Sequence, residues 1–222
     1  TLLFNMLEAV ELNANRKNSD LQLYEFGNCY FHDAEKRTDE NPLAAYSEEY
    51  RLAVAVTGLA VPQSWNAKPE KASFFTLRAV AEKLLRRFGV DIYALKTESL
   101  QSDLYGEGLS MSLGNRELLQ IGTVSGRIRR MLDVKQEVYF MEVNFDALVR
   151  STKKHKIAAE ELSKFPEVKR DLALLVDKQV TFSALRDVAF ATERKLLKSV
   201  ALFDVYEGDK LPAGKKSYAL SF

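Results

Sequence analysis

The sequence predicts an α+β protein on a mostly antiparallel sheet, and two observations carry that expectation. Strand-like runs outnumber helix-like ones. The gaps between successive strands are also too short for repeated parallel crossovers, which take a dozen or more residues each. With 222 residues and a hydrophobic share of 46%, the chain can build a core in one large domain or two small ones, at roughly 100 to 200 residues per domain.

Leu3, Met6, Leu7, Val10 and Ala14 recur at helical spacing, and Asn15-Arg16-Lys17-Asn18 closes that segment. Residues 21–32 are aromatic and aliphatic on both alternating faces, as in a strand buried on both sides, with Gly27 admitting a bulge or close neighbour. Residues 33–48 are polar, contain Asn41-Pro42, and read as a loop or hairpin tip. Residues 50–60 form a second, central strand, which Val61-Pro62 ends because proline cannot donate to a ladder.

The clearest helix follows. Ser73 is its N-cap, Phe74, Leu77, Ala81, Leu84, Leu85 and Phe88 share one face, and Gly89 supplies a left-handed stop. Residues 93–100, 109–113, 118–124 and 137–144 are strand candidates, the middle two joined by Gly114-Asn115, and residues 128–132 are a short helix. These elements make a first domain of residues 1–150. Residues 151–164, with Lys153-Lys154-His155-Lys156, form the expected linker.

Residues 165–222 continue with a strand at 170–177, a helix at 182–197 and strands at 198–206 and 216–222. That β-α-β-β order is the first two-thirds of a ferredoxin-like β-α-β-β-α-β unit, so the chain reads as a cut piece of a longer protein. Thr1 in place of Met gives the same expectation for the other end. The missing last strand belongs beside residues 170–177, so Leu172, Leu174 and Val176 are expected on an unpaired edge, with part of the apolar face uncovered.

Composition excludes several chemistries. Cys29 is the sole cysteine, which rules out an intrachain disulfide and a cysteine-based zinc cluster and fits a reducing, cytoplasmic setting. No run approaches the roughly 20 apolar residues that span a bilayer. His32 and His155 have no second histidine at ligand spacing, so neither a metal site nor a hydrolytic triad is expected.

Asp103 and Glu107 read as loop charges rather than paired acids. Gly106-Glu107-Gly108 and Gly122-Thr123-Val124-Ser125-Gly126 read as turns, because neither has the context of a phosphate loop. Trp65 can stack a base, although a lone tryptophan near a proline more often anchors a loop. Residues 151–222 hold 14 Lys or Arg against 10 Asp or Glu, and residues 1–150 hold 18 against 21. The second part is therefore the more basic one, which is compatible with phosphate contact and equally with a solvated lysine-rich surface.

Phe165-Pro166-x-x-x-Arg170-Asp171-Leu172-Ala173, Leu202-Phe203-Asp204-Val205-Tyr206-x-Gly208 and Gly214-x-Lys216-Ser217 resemble, in order and spacing, the ferredoxin-fold anticodon-binding domain of the bacterial phenylalanyl-tRNA synthetase beta subunit. Asn5-Met6-Leu7-Glu8-Ala9-Val10, Asn13-x-Asn15-Arg16, Leu23-Tyr24-Glu25-Phe26-Gly27, Ile121-Gly122-Thr123-Val124 and Val138-Tyr139-Phe140-Met141-Glu142-Val143 are similar to that subunit's catalytic-like domain. Two turns depart from the family pattern. Ser125-Gly126-Arg127-Ile128 stands where a His-Pro step is common, and Leu104-Tyr105-Gly106-Glu107-Gly108 where a His-Pro-Gly-like phrase is usual.

The resemblance implies a class II synthetase-like sheet without the family's catalytic Arg-x-Glu and Gly-rich motifs, hence no catalytic residues and no metal site in this chain. It implies an alpha subunit as partner in an α2β2 enzyme, tRNA(Phe) as RNA partner, and ATP and magnesium for the whole enzyme only. Exposed Lys178, Lys210, Lys215 and Lys216 are the expected phosphate contacts. Tyr206 or Tyr218 can stack a base if either faces outward. Arg170, Asp204 and Lys216 are expected to make internal polar bonds that set the small sheet's register. The alternative is a stand-alone RNA-binding or small-ligand regulatory protein with a ferredoxin-like module.

Overall fold

The first apolar stripe forms helix α1 (Leu3–Asn15), which buries Leu3, Met6, Leu7 and Val10. Strands β1 (Leu21–His32) and β2 (Tyr46–Thr57) form a long hairpin, paired from Leu21 opposite Thr57 to His32 opposite Tyr46. A Cβ on Gly27 would stand 2.9 Å from a Leu2 methyl, the close neighbour its sequence suggested. This computed structural model describes residues 1–152 and 164–222, so most of the expected linker, including His155, lies outside the described residues. The chain divides into two compact units, Thr1–Ile157 and Ala158–Phe222.

After β2 come the short pair β3 (Leu59–Val61) and β4 (Glu70–Lys71), then helix α2 (Phe74–Arg87). Ser73 and Thr76 form a reciprocal capping box at its start, and Gly89 at φ 71° ends it as expected. Strands β5 (Lys96–Ser99), β6 (Tyr105–Leu113), β7 (Arg116–Val124) and β8 (Val138–Asn144) complete a six-stranded sheet. Its order is β1-β2-β8-β7-β6-β5, with every pair antiparallel. Helices α3 (Gly126–Met131) and α4 (Phe145–Ser151) flank β8 in the chain.

Alternate residues of the central strands feed two separate cores, as a period of two dictates. Ala53, Val124, Val138 and Phe140 pack with α1 on one face, whereas Leu52, Ile121, Met141 and Val143 pack with α2 and α4 on the other.

Four sequence expectations change here. β1 is an edge strand and is not buried on both sides: Tyr24 is 74% exposed. Gly106-Glu107-Gly108 lies within β6, where Gly108 faces Gly122 on β7, and is not a turn. A Cβ on Gly122 would run into the Glu107 carbonyl and stand 2.7 Å from Gly108 Cα, so the strands approach closely because both positions lack side chains. The start of the 93–100 segment is a single 3₁₀ turn, Ile92–Ala94, capped by Asp91. Helix α4 was not expected, although Asn144 accepts from the Ala147 N–H as an ordinary cap.

The second unit contains β9 (Asp171–Asp177), α5 (Phe182–Thr192), β10 (Ala201–Tyr206) and β11 (Lys215–Ser221). Its sheet runs β10-β11-β9, with β11 antiparallel to both neighbours, so β9 and β10 are parallel and α5 lies in the crossover between them. Helix α5 ends five residues before the expected position. Glu193 leaves it in extended conformation and its carboxylate accepts from the Lys195 and Leu196 N–H groups. Those hydrogen bonds hold its pKa below the ordinary carboxylate value. Among the described residues strand β9 pairs with β11 alone, and Leu172 is 47% exposed.

Candidate functional site

The four lysines singled out in the sequence occupy different environments. Lys178 follows β9 and stands 3.7 Å from Glu207, with both side chains more than half or half exposed. Lys215 opens β11 and pairs with Asp177 on the adjacent strand at 2.7 Å. Lys210 is exposed in the loop between β10 and β11. Lys216 is only 8% exposed, which corrects the expectation that it is open to solvent.

The register explains Lys216. Residues 216, 218 and 220 point to one face of β11, opposite Val176, Leu174 and Leu172, and Tyr218 and Leu220 are buried there. The Lys216 ammonium lies 4.6 Å from the Tyr218 ring centroid, where the ring face offsets part of the lost hydration. Tyr218 is closed to a base as well, and its hydroxyl donates to the Val180 carbonyl at 3.4 Å. Tyr206 is the open aromatic of the two.

Among the described residues, the polar bonds that bridge the strands are not those expected of Arg170, Asp204 and Lys216. Lys215 to Asp177 bridges β11 and β9. Arg170 contributes through its backbone, exchanging two N–H to carbonyl bonds with Phe222 at 2.9 and 2.8 Å.

The larger unit holds a buried ionic network that sequence reading missed. Glu142, 5% exposed, accepts from the Leu2 N–H at 2.7 Å, the Thr1 hydroxyl at 2.8 Å and Arg51 Nη1 at 2.5 Å. Arg51 also grips Glu49 through Nε at 3.1 Å and Nη2 at 2.7 Å, and Asn144 donates to the same Glu49 oxygen. Burial alone would lower the Arg51 pKa, yet the hydrogen bonds to Glu49 and Glu142 raise it on balance. The signal was one carboxylate inside the apolar run 138–143, since a charge in a buried strand demands a partner. Burial, with a smaller contribution from the Glu142 carboxylate, drives the Tyr105 phenol far above its ordinary pKa.

A second missed feature is aromatic. Phe26 stacks on Tyr50 at 5.9 Å and meets Phe145 edge-on at 5.1 Å, while Tyr24 extends the row outward and Phe88 joins Phe145 from inside. Beside the row lies an apolar cleft of 340 Å³ lined by Tyr24, Phe26, Val54, Val80, Leu84 and Met141. Trp65, at 97% exposure, is not the loop anchor that the sequence favoured. The His32 ring lies 4.9 Å from that of Tyr46, tilted by 51°. Among the described residues no three His, Cys, Asp or Glu side chains converge as a metal-ligand set, and no helix is long and apolar enough to cross a membrane.

The fold is thus a larger α+β unit followed by a small split β-α-β unit. Residues 1–145 match the phenylalanyl tRNA synthetase beta chain CLM domain, and residues 163–222 match the ferredoxin-fold anticodon binding domain. The chain belongs to the phenylalanyl-tRNA synthetase beta chain family.

It is 47% identical over 223 aligned residues to a phenylalanine–tRNA ligase beta subunit of Bacteroides fragilis, covering all of this chain and 27% of that protein. The Porphyromonas gingivalis beta subunit is 46% identical with the same coverage, and that of Bacillus subtilis is 34% identical, covering all of this chain and 26% of its own length. The chain thus spans about a quarter of the length of these relatives.

Proposed function

We propose that this chain is the part of a cytoplasmic phenylalanine–tRNA ligase beta subunit that helps assemble the α2β2 enzyme and contacts tRNA(Phe), while ATP- and magnesium-dependent aminoacylation takes place on the alpha subunit. The observation that carries this reading is the match of two domains, in this order, across nearly the whole chain. The six-stranded antiparallel sheet then has the class II synthetase-like role of a scaffold. The split β-α-β-β unit has the ferredoxin-like role of an RNA platform. The stand-alone regulatory reading is not favoured, because the relatives are ligase subunits.

For assembly, the open aromatic row of β1 and β2 supplies what a stable interface uses at its centre, aromatic rings over an apolar cleft. For RNA, the ion-paired Lys178 and Lys215 at strand ends and Lys210 in the intervening loop supply cations, and Tyr206 supplies an open ring. Two measurements test the proposal. The chain is expected to co-elute with an alpha subunit from the same genome, and paired Tyr24→Ala and Tyr50→Ala changes should weaken that complex about tenfold or more, as interface aromatics do. Formation of phenylalanyl-adenylate by the purified chain alone would overturn the placement of the chemistry.

A further inference from the structure

We infer that the cavity where β5 parts from β6 binds a small organic cation, an amine carrying an apolar body. Its lining residues are none of those named for assembly or RNA contact. β5 pairs with β6 as far as Ser99 opposite Leu109, and the last tie is the Leu100 N–H to the Gly108 carbonyl at 2.9 Å. β6 continues to Tyr105 with its other edge still paired to β7. Residues 99–102 and 105–109 therefore diverge and leave between them an open cleft of about 540 Å³, a volume suited to a small molecule.

The walls are built to stay open. A register shift between Tyr105 and Glu107 makes Gly106 an extra, unpaired residue, the kind of bulge that re-aims a neighbouring side chain. Gly108 presses on Gly122, and the Tyr105 ring lies against Gly122, where any Cβ would stand 2.8 Å from Tyr105 Cδ1. Phe74 from α2, with Leu100, Leu109 and Tyr105, gives the cavity apolar surface.

Charge selects the ligand. Glu107 is the charged residue among those lining the cavity, and its carboxylate has no hydrogen bond or ion pair among the described residues. A phosphate or carboxylate ligand would face that charge with no lysine or arginine on the walls to oppose it. At the start of α2 the capping box takes up the Ser73 and Thr76 N–H groups, and the Glu107 carboxylate opposes an anion at the remaining ones. A neutral apolar molecule would gain nothing from Glu107, which is exposed to water. An ammonium on an apolar body satisfies both the carboxylate and the walls.

Calorimetric or NMR titration of the 222-residue chain with phenethylamine, 2-phenylethanol and 3-phenylpropionate tests the site. The amine should bind roughly tenfold tighter than the alcohol, a gain of the size a charged hydrogen bond gives, and the acid should bind least. Glu107→Gln should reduce the amine to the level of the alcohol with an unchanged melting temperature, since Glu107 is exposed and unpaired. Phe74→Ala should weaken amine and alcohol alike. Equal affinity for the three probes, no binding of the amine, or an unchanged amine affinity in Glu107→Gln would overturn the inference.

Discussion

The two sheets differ in how much of themselves they bury. In the six-stranded sheet, β8 is buried at Val138, Phe140, Met141, Glu142 and Val143, because helices pack on both faces of its centre. In the three-stranded sheet, β9 has no buried residue, and the buried side chains among the described residues of that unit are Val200, Lys216, Tyr218 and Leu220. A small unit with one covered face has little apolar burial to offset chain entropy. The larger unit can hold a buried ion pair, which a thin core cannot stabilise at comparable depth.

The strongest way to break that contrast is to cut into each core. Phe140→Ala removes a ring that is almost wholly buried and should cost about 3 to 5 kcal/mol, whereas Leu175→Ala on the open β9 should cost under about 1 kcal/mol. Urea unfolding followed by a probe in each unit reads both, and equal losses would mean that the two sheets share one core. Next in size, Glu142→Ala strips Arg51, the Leu2 N–H and Thr1 of their common acceptor. The loss should reach about 3 kcal/mol, less if Glu49 retains Arg51, and Arg51→Ala in the same background should recover part of it.

How much of this was legible follows from the range of the interactions. Helix α2 could be read completely, because Ser73, its apolar stripe and Gly89 act within one segment. The hairpin of β1 and β2 was also legible, but its edge position was not. Whether Tyr24 and Tyr30 meet a neighbour is decided by sheet order, and alternation within β1 carries no trace of it. Gly106 and Gly108 looked like turn residues because their reason for being glycine is Gly122, on another strand.

The same holds for charge. Arg51 and Glu142 are 91 residues apart, so each could be seen as anomalous in an apolar run but not matched to the other. In the candidate RNA surface, the positions of Lys178 at a strand end and Lys210 in a loop were readable. The burial of Lys216 was readable in principle, since it shares the parity of Tyr218 and Leu220, and it was masked by the lysine-rich appearance of the segment.

Alkaline titration sharpens the contrast further, through a group confined to the larger unit. Folding raises the Tyr105 pKa above its unfolded value of about 10, so above that pH the unfolded chain releases a proton that the native one retains. Stability is then complete below about pH 10 and falls at higher pH by up to about 1.4 kcal/mol per pH unit until the folded group titrates. Tyr105→Phe should remove this part of the loss while changing neutral stability little. An unchanged alkaline slope would place the cause elsewhere.

The smallest expected effect separates surface from core within the terminal unit itself. Lys210→Ala removes an exposed cation and should leave the melting temperature unchanged while lowering the magnitude of the log-log salt slope of RNA binding by about 0.7, the value for one phosphate on a single strand. Lys216→Met keeps the apolar stem over Tyr218 and deletes the ammonium, so it should preserve the fold and leave the salt slope unchanged. A slope lowered equally by both changes would mean that the face carrying Lys216 opens when RNA binds. In that case the buried face of β11, together with its preceding loop, would form the nucleic-acid surface.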